Sequence, residues 1–158
     1  MTLGACETGR NKVLKGDELI GLVRAFIYAG TPSVVVSLWP VDELSTRILM
    51  ERFYQELLAG QPKAAALRTA QQYVRNLTAT QVTTLLTSYG EPDPADQVQR
   101  LLALTHTPQS PTLASTASSP AARLFAHPYF WAPFVLIGDQ MSNIANVPAQ
   151  PAHVKEER

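Results

Sequence analysis

The chain is 158 residues long and 46% hydrophobic, enough to bury one core and no more than one domain requires. Its 13 basic residues balance 13 acidic ones for a formal net charge of +0, which gives no electrostatic footprint for nucleic acid or for an anionic membrane surface. The single cysteine leaves no internal disulfide and fits a reducing cytoplasm; no apolar stretch approaches the ~18 residues that span a bilayer, and Met1 leads into a strand instead of a signal peptide.

The opening Met1-Thr2-Leu3 is a short apolar strand that runs into the small, polar turn Gly4-Ala5-Cys6-Glu7-Thr8-Gly9. A thiol at the carboxyl end of a strand, among residues with little side-chain bulk, is placed as nucleophiles are placed: a carbonyl can approach it and backbone N–H groups can face it. The competing reading of Cys6 is a small buried hydrophobe. Gly16-Asp17 then offers a helix start, and Leu19, Leu22, Val23, Phe26 and Ile27 recur at helical spacing until Gly30. After the Gly30-Thr31-Pro32 turn, Ser33 to Trp39 is a continuous β-branched and apolar run, the pattern of a strand covered on both faces, and Pro40 stops it. Asp42 is placed to cap the next helix, whose buried stripe is Leu44, Ile48, Leu49, Phe53 and Leu57. Gly60 and Pro62 separate that helix from a third, about Lys63 to Leu77, with an alanine-rich face suited to close packing on the sheet.

From 78 to 123 the pattern loosens and is expected as a low-complexity insertion. Gln97 to Leu104 has leucine spacing for a short helix, whereas Thr105 to Ala122 carries too few large apolar residues to offset its ordering entropy. It reads as a mobile loop, either without function or as a partner-binding segment. Phe130 to Gly138 resumes a buried strand, where Pro133 indicates an edge or a bulge. Residues 140–158 are expected as a disordered tail.

Strands alternating with helices imply an α/β fold with a mostly parallel sheet flanked by helices. The carboxyl ends of the first two strands then share one rim, where open α/β sheets place ligand sites, and Trp39 and Asp42 lie there with Cys6. Read from the residues alone, Trp39 fills the core and Asp42 caps its helix. Neither metal-ligand spacing nor a phosphate-binding glycine loop is present in the sequence, and no cofactor is expected.

The segment Gly4-Ala5-Cys6-Glu7-Thr8-Gly9 resembles the Ser-Ala-Cys-Glu-Thr-Gly signature of the CHAT domain, a caspase-like cysteine peptidase module often found after tetratricopeptide repeats, with Gly4 in place of the serine. Further blocks resemble the family in order and spacing: Arg24-Ala25-Phe26 with Ala29-Gly30, Ser33 to Asp42, Met50 with Phe53, Tyr54 and Leu57, Lys63-Ala64 through Ala70-Gln71, and His127-Pro128 through Gly138. The resemblance implies the C-terminal half of a caspase-like domain of the caspase, gingipain and separase type over residues 1–139, therefore a partial domain. It implies Cys6 as nucleophile, Gly4, Ala5, Glu7, Thr8 and Gly9 as the active-site turn, and a protein or peptide substrate. It also implies Trp39 and Asp42 as substrate-binding residues, Trp39 as an apolar wall and Asp42 as the reader of a basic side chain, against the competing reading in which they only pack and cap. Glu7 is not expected as a base, because a carboxylate beside a thiol raises its pKa and so opposes thiolate formation.

In caspase-type sites the base is a histidine roughly 50 residues before the cysteine, and only five residues precede Cys6. His106 lies in a proline-rich stretch, His153 in the charged tail and His127 at the opening of the last strand, so none is expected as the base. The expected histidine is upstream of this chain, on a partner half-domain that tetratricopeptide repeats are expected to accompany, and the chain alone is expected to be inactive. Two functions remain: part of a cysteine endopeptidase, or a catalytically silent CHAT-type scaffold or interaction module.

Overall fold

A run of valines buried on both sides organises the fold. The computed structural model describes residues 2–3, 16–105 and 121–142. Within it, β1 is Thr2–Leu3, α1 is Gly16–Tyr28 and β2 is Ser33–Ser37, every residue of which is buried. Alternation along the strand divides its valines: Val35 joins the main core on one face, while Val34 and Val36 pack with Val23 of α1 on the other.

The chain continues through α2 (Glu43–Leu58) and α3 (Lys63–Asn76), then α4 (Ala79–Ser88), α5 (Pro94–Thr105), a 3-10 turn (Pro128–Phe130) and β3 (Phe134–Gly138). β2 lies between the other two strands. β1 runs parallel to β2 with Leu3 beside Val36, and β3 runs antiparallel with Phe134 beside Ser37 and Gly138 beside Ser33. The described sheet is therefore mixed, not the mostly parallel sheet that alternation of strands and helices suggests. The cause is the helical hairpin between β2 and β3. Gly60, at φ 86, lets the chain reverse after α2, so that the Ala64 N–H meets the Gln140 carbonyl (3.2 Å) and the Gln71 side-chain amide meets the Phe134 carbonyl (3.0 Å). α3 is thereby antiparallel to β3, and its carboxyl end delivers the chain to the rim where β2 finishes. After α4 and α5 the chain returns to this end of α3 through the Thr78–Arg123 bridge, and β3 runs back from there.

The main core joins Ile48, Leu49, Phe53 and Leu57 of α2 to Ala66, Leu67, Ala70 and Val74 of α3, with Phe125 and Phe134 closing it. The α2 stripe expected from spacing is the one buried, except that Leu44 is only partly covered. Alanines at 66 and 70, both 0% exposed, let α2 and α3 approach closely. Each fully buried aliphatic or aromatic side chain here contributes roughly 1.5–3 kcal/mol of transfer free energy.

Three stretches differ from the sequence expectation. Among the α1 side chains described, 20–28, Val23 is buried and Phe26 half-buried, whereas Leu22 and Ile27 of the expected inward face are each 40% exposed. Residues 79–105, inside the stretch expected as a low-complexity insertion, form α4, which was not expected, and α5, which covers and extends the short helix expected at Gln97 to Leu104; together they bury Val82, Leu86 and Val98 in the main core. The rest of that stretch up to 120 lies outside the described residues. Residues 140–142, placed by expectation in the tail, are bonded to the start of α3: besides Gln140, the buried Lys63 ammonium donates to Ser142 Oγ at 2.7 Å and lies 3.5 Å from Asp139 Oδ2. The remaining tail, 143–158, lies outside the described residues.

Candidate active-site rim

Because Leu3 lies beside Val36 in a parallel register, β1 and β2 finish at the same rim of the sheet. The turn Gly4, Ala5, Cys6, Glu7, Thr8 and Gly9 follows β1 and lies outside the described residues, as do His106 and His153. The loop that leaves β2 is described throughout. Its first residue, Leu38, is 54% exposed and anchored by its N–H to the Pro133 carbonyl at 3.0 Å.

Trp39 is half-buried, and its indole N–H donates to the Tyr129 carbonyl at 3.1 Å, fixing the ring between the rim and the 3-10 turn. That turn is itself capped by His127, whose Nδ1 accepts the Tyr129 N–H at 3.2 Å. The imidazole is thus committed to a local structural bond. Sequence reasoning did not find Tyr129 as a rim partner, since a backbone carbonyl leaves no trace in residue identity.

Asp42 caps α2. With an extended backbone (φ −73, ψ 136) its Oδ1 accepts the Ser45 N–H at 2.8 Å, and its carbonyl accepts the Ser45 hydroxyl at 3.3 Å and the Thr46 N–H at 3.1 Å. The side chain also borders a cleft of about 370 Å³ between the start of α2 and the α4–α5 pair. The capping reading of Asp42 is therefore realised, and the same residue sits at the mouth of a cavity.

Arg47 and Glu91 of the cleft lining belong to a charged cluster that the sequence did not signal. The Arg47 guanidinium stacks 3.8 Å from the Tyr89 ring centre and its Nη1 lies 3.3 Å from Glu91 Oε1. Tyr89 donates its hydroxyl to Glu51. Burial, together with this hydrogen bond and the Glu51 charge, pushes the phenol up to about 12, against a smaller opposing effect of Arg47. Glu91 and Arg100 come from the region read as low complexity; the leucine spacing of Gln97 to Leu104 signalled α5 there, and the pair Thr78 and Gln81, which the structure realises as a capping box, was the unused signal for α4. Among the described residues no group of three His, Cys, Asp or Glu could hold a metal ion, and no helix is long and apolar enough to cross a membrane.

Comparison with known proteins gives a consistent set of relatives. The chain is similar to tetratricopeptide repeat protein 28 of Homo sapiens, 38% identical over 76 residues, and to tetratricopeptide repeat protein 28 of Mus musculus, 36% identical over 66 residues. These matches cover 48% and 42% of this chain and 3% of each relative, so the chain spans a small part of the length of the curated proteins it matches. No solved structure matches it significantly. The family profile described as CHAT domain matches residues 1–139, which includes the cysteine turn, the β2 loop and β3, and the chain belongs to the CHAT domain family.

Proposed function

We propose that this chain is the nucleophile-bearing C-terminal portion of a CHAT-type cysteine peptidase with a caspase-like fold. The observation that carries the reading is the family match over residues 1–139 together with the parallel register of β1 and β2. That register ends β1 beside Val36, at the rim from which the chain leaves β2 toward Trp39 and Asp42, and this supports the reading in which Cys6, three residues after Leu3, acts with that loop.

In this mechanism a histidine from sequence upstream of Met1 takes the Cys6 proton, and the thiolate attacks a peptide carbonyl. The Cys6 N–H contributes to the site that holds the oxyanion, within the turn formed by Gly4, Ala5, Glu7, Thr8 and Gly9. The imidazolium returns its proton to the leaving amine, and water then hydrolyses the acyl-enzyme. Trp39, held by Tyr129, forms an apolar wall for the substrate, and Asp42 attracts a basic side chain before the scissile bond. The relatives' name supports a setting in which tetratricopeptide repeats present protein substrates to the domain.

The test is a protein carrying the complete domain, treated with a peptidyl acyloxymethyl ketone that ends in arginine and assayed against arginine-containing peptides. Covalent labelling at Cys6 and hydrolysis lost in Cys6→Ala with an unchanged melting temperature are expected. Hydrolysis that survives Cys6→Ala would overturn the reading, and a folded protein with neither labelling nor hydrolysis would make the domain a scaffold.

A further inference from the structure

We propose that the cleft between the start of α2 and the α4–α5 pair is a docking site for a short peptide segment in which a basic residue is followed closely by a leucine-like one. The cavity measures about 370 Å³. That lies at the lower end of the range for ligand pockets, so it takes roughly two or three side chains rather than a folded surface.

Its floor is apolar, built from Leu44, Leu86 and Leu101. Leu86 is 1% exposed and belongs to the main core, so the floor is rigid, while Leu44 and Leu101 are partly uncovered and available to a visiting aliphatic side chain. The rim chemistry selects the neighbour. Both basic residues of the lining are already matched, Arg47 by Glu91 at 3.3 Å and Arg100 by Asp96 one turn away on α5. Among the described residues Asp42 and the exposed Glu43 enter no ion pair, and both border the cleft at its α2 end. The charges without an ion-pair partner are therefore the carboxylates of Glu43 and of Asp42, the latter also accepting the Ser45 N–H, beside an apolar floor. An extended peptide alternates its side chains, so a basic residue at the carboxylates puts the residue two positions on over Leu44 and Leu101.

This site shares Asp42 with the substrate-binding reading above but needs neither Cys6 nor a general base. It is tested by equilibrium binding, on the full chain carrying Cys6→Ala, so that failure of the peptidase reading does not touch it. The probe is a fluorescein-labelled pentapeptide, acetyl-Ala-Arg-Ala-Leu-Ala-amide with the label on the amino end, followed by fluorescence anisotropy at low salt.

Saturable binding is expected, weakened about fivefold by Glu43→Gln, a rim change, and about tenfold by Leu101→Ala, which removes floor area. Arg100→Glu adds a carboxylate to the wall and is expected to tighten binding about threefold, a gain that unfolding cannot imitate. Glu43 and Arg100 are exposed, so their variants keep the test decisive if Leu101→Ala fails to fold. Absence of saturable binding, equal affinity for the peptide with glutamate in place of arginine, or affinities untouched by both Glu43→Gln and Arg100→Glu would each overturn the proposal.

Discussion

The Trp39 indole N–H donates to the Tyr129 carbonyl at 3.1 Å across 90 residues of sequence, joining the loop after β2 to the turn before β3. The bond is exposed, so water partly replaces it when it is broken. Trp39→Phe keeps an aromatic ring and removes the donor together with the pyrrole edge that carries it. It should lower the unfolding free energy by about 0.5–1 kcal/mol in urea titration. An unchanged midpoint would show that water substitutes fully and that the loop is held by the Leu38–Pro133 backbone bond alone.

Gly138 offers a larger effect at the other end of the same strand pair. Its φ is 101, and an added Cβ would stand 2.4 Å from the Pro32 carbonyl oxygen and 3.1 Å from Ser33 Cα. Relief requires β3 to move away from β2 at the first pair of their register, Ser33 with Gly138. Gly60 is the internal control: φ is 86 and nothing lies within 4 Å of its added Cβ. Gly60→Ala should cost about 1–2 kcal/mol from backbone strain alone, and Gly138→Ala at least about 2 kcal/mol more than a strain-only change. Equal melting temperatures for the two variants would mean that the sheet edge yields freely.

Much of this architecture is legible in residue patterns. β2 follows from the Val34-Val35-Val36 run, α2 from Asp42 and the stripe at 48, 49, 53 and 57, and α3 from Gly60, Pro62 and the spaced alanines, because each depends on local periodicity and punctuation. The direction of β3 is not local: it depends on where α3 ends and on the Thr78–Arg123 bridge that brings the chain back to that end after α4 and α5. α4 was obscured by Thr80, Thr83, Thr84 and Thr87, β-branched residues that favour strands or loops, although their hydroxyls at 83, 84 and 87 bond back to carbonyls one turn earlier. At the rim, Asp42 was legible as a cap, whereas the cleft beside it depends on Glu91, Arg100 and Leu101 being brought back from 44 or more residues downstream. No spacing rule carries that.

Acid sensitivity is expected at the junction of β3 and α3. Asp139 Oδ1 accepts the N–H groups of Met141 (3.1 Å) and Ser142 (3.3 Å). The Ser142 hydroxyl first, then these N–H groups and the Lys63 charge, hold its carboxyl at about 2 against an ordinary 3.8. A depressed carboxylate stabilises the fold above its unfolded value, and that contribution disappears as pH falls from 3.8 through 2. Wild-type stability should therefore decline across that window, and Asp139→Asn should flatten the decline while lowering stability at pH 7. Urea melts at several pH values measure both; identical slopes for the two proteins would remove Asp139 as the cause.

Asp42 separates a structural role from a chemical one within one side chain. The 2.8 Å bond from the Ser45 N–H makes it a working cap, so Asp42→Ala should cost about 1 kcal/mol, within the 0.5–2 kcal/mol typical of lost caps. Asn keeps an acceptor oxygen at the same position and removes only the charge. Its stability cost is limited to the favourable interaction of a carboxylate with the helix N-terminus, about 0.3–1 kcal/mol. The proposed contact with a basic substrate side chain behaves differently, because a desolvated charge pair at a binding site is worth on the order of 2–5 kcal/mol when one partner is lost. Asp42→Asn in a protein carrying the complete domain should thus leave the melt nearly intact while reducing cleavage after arginine or lysine by at least about tenfold. A peptide-library cleavage profile run beside thermal melts reads both effects. A profile unchanged by Asp42→Asn would assign the carboxylate to the helix cap alone, and a wild-type preference for acidic or apolar residues would remove the basic-side-chain reading.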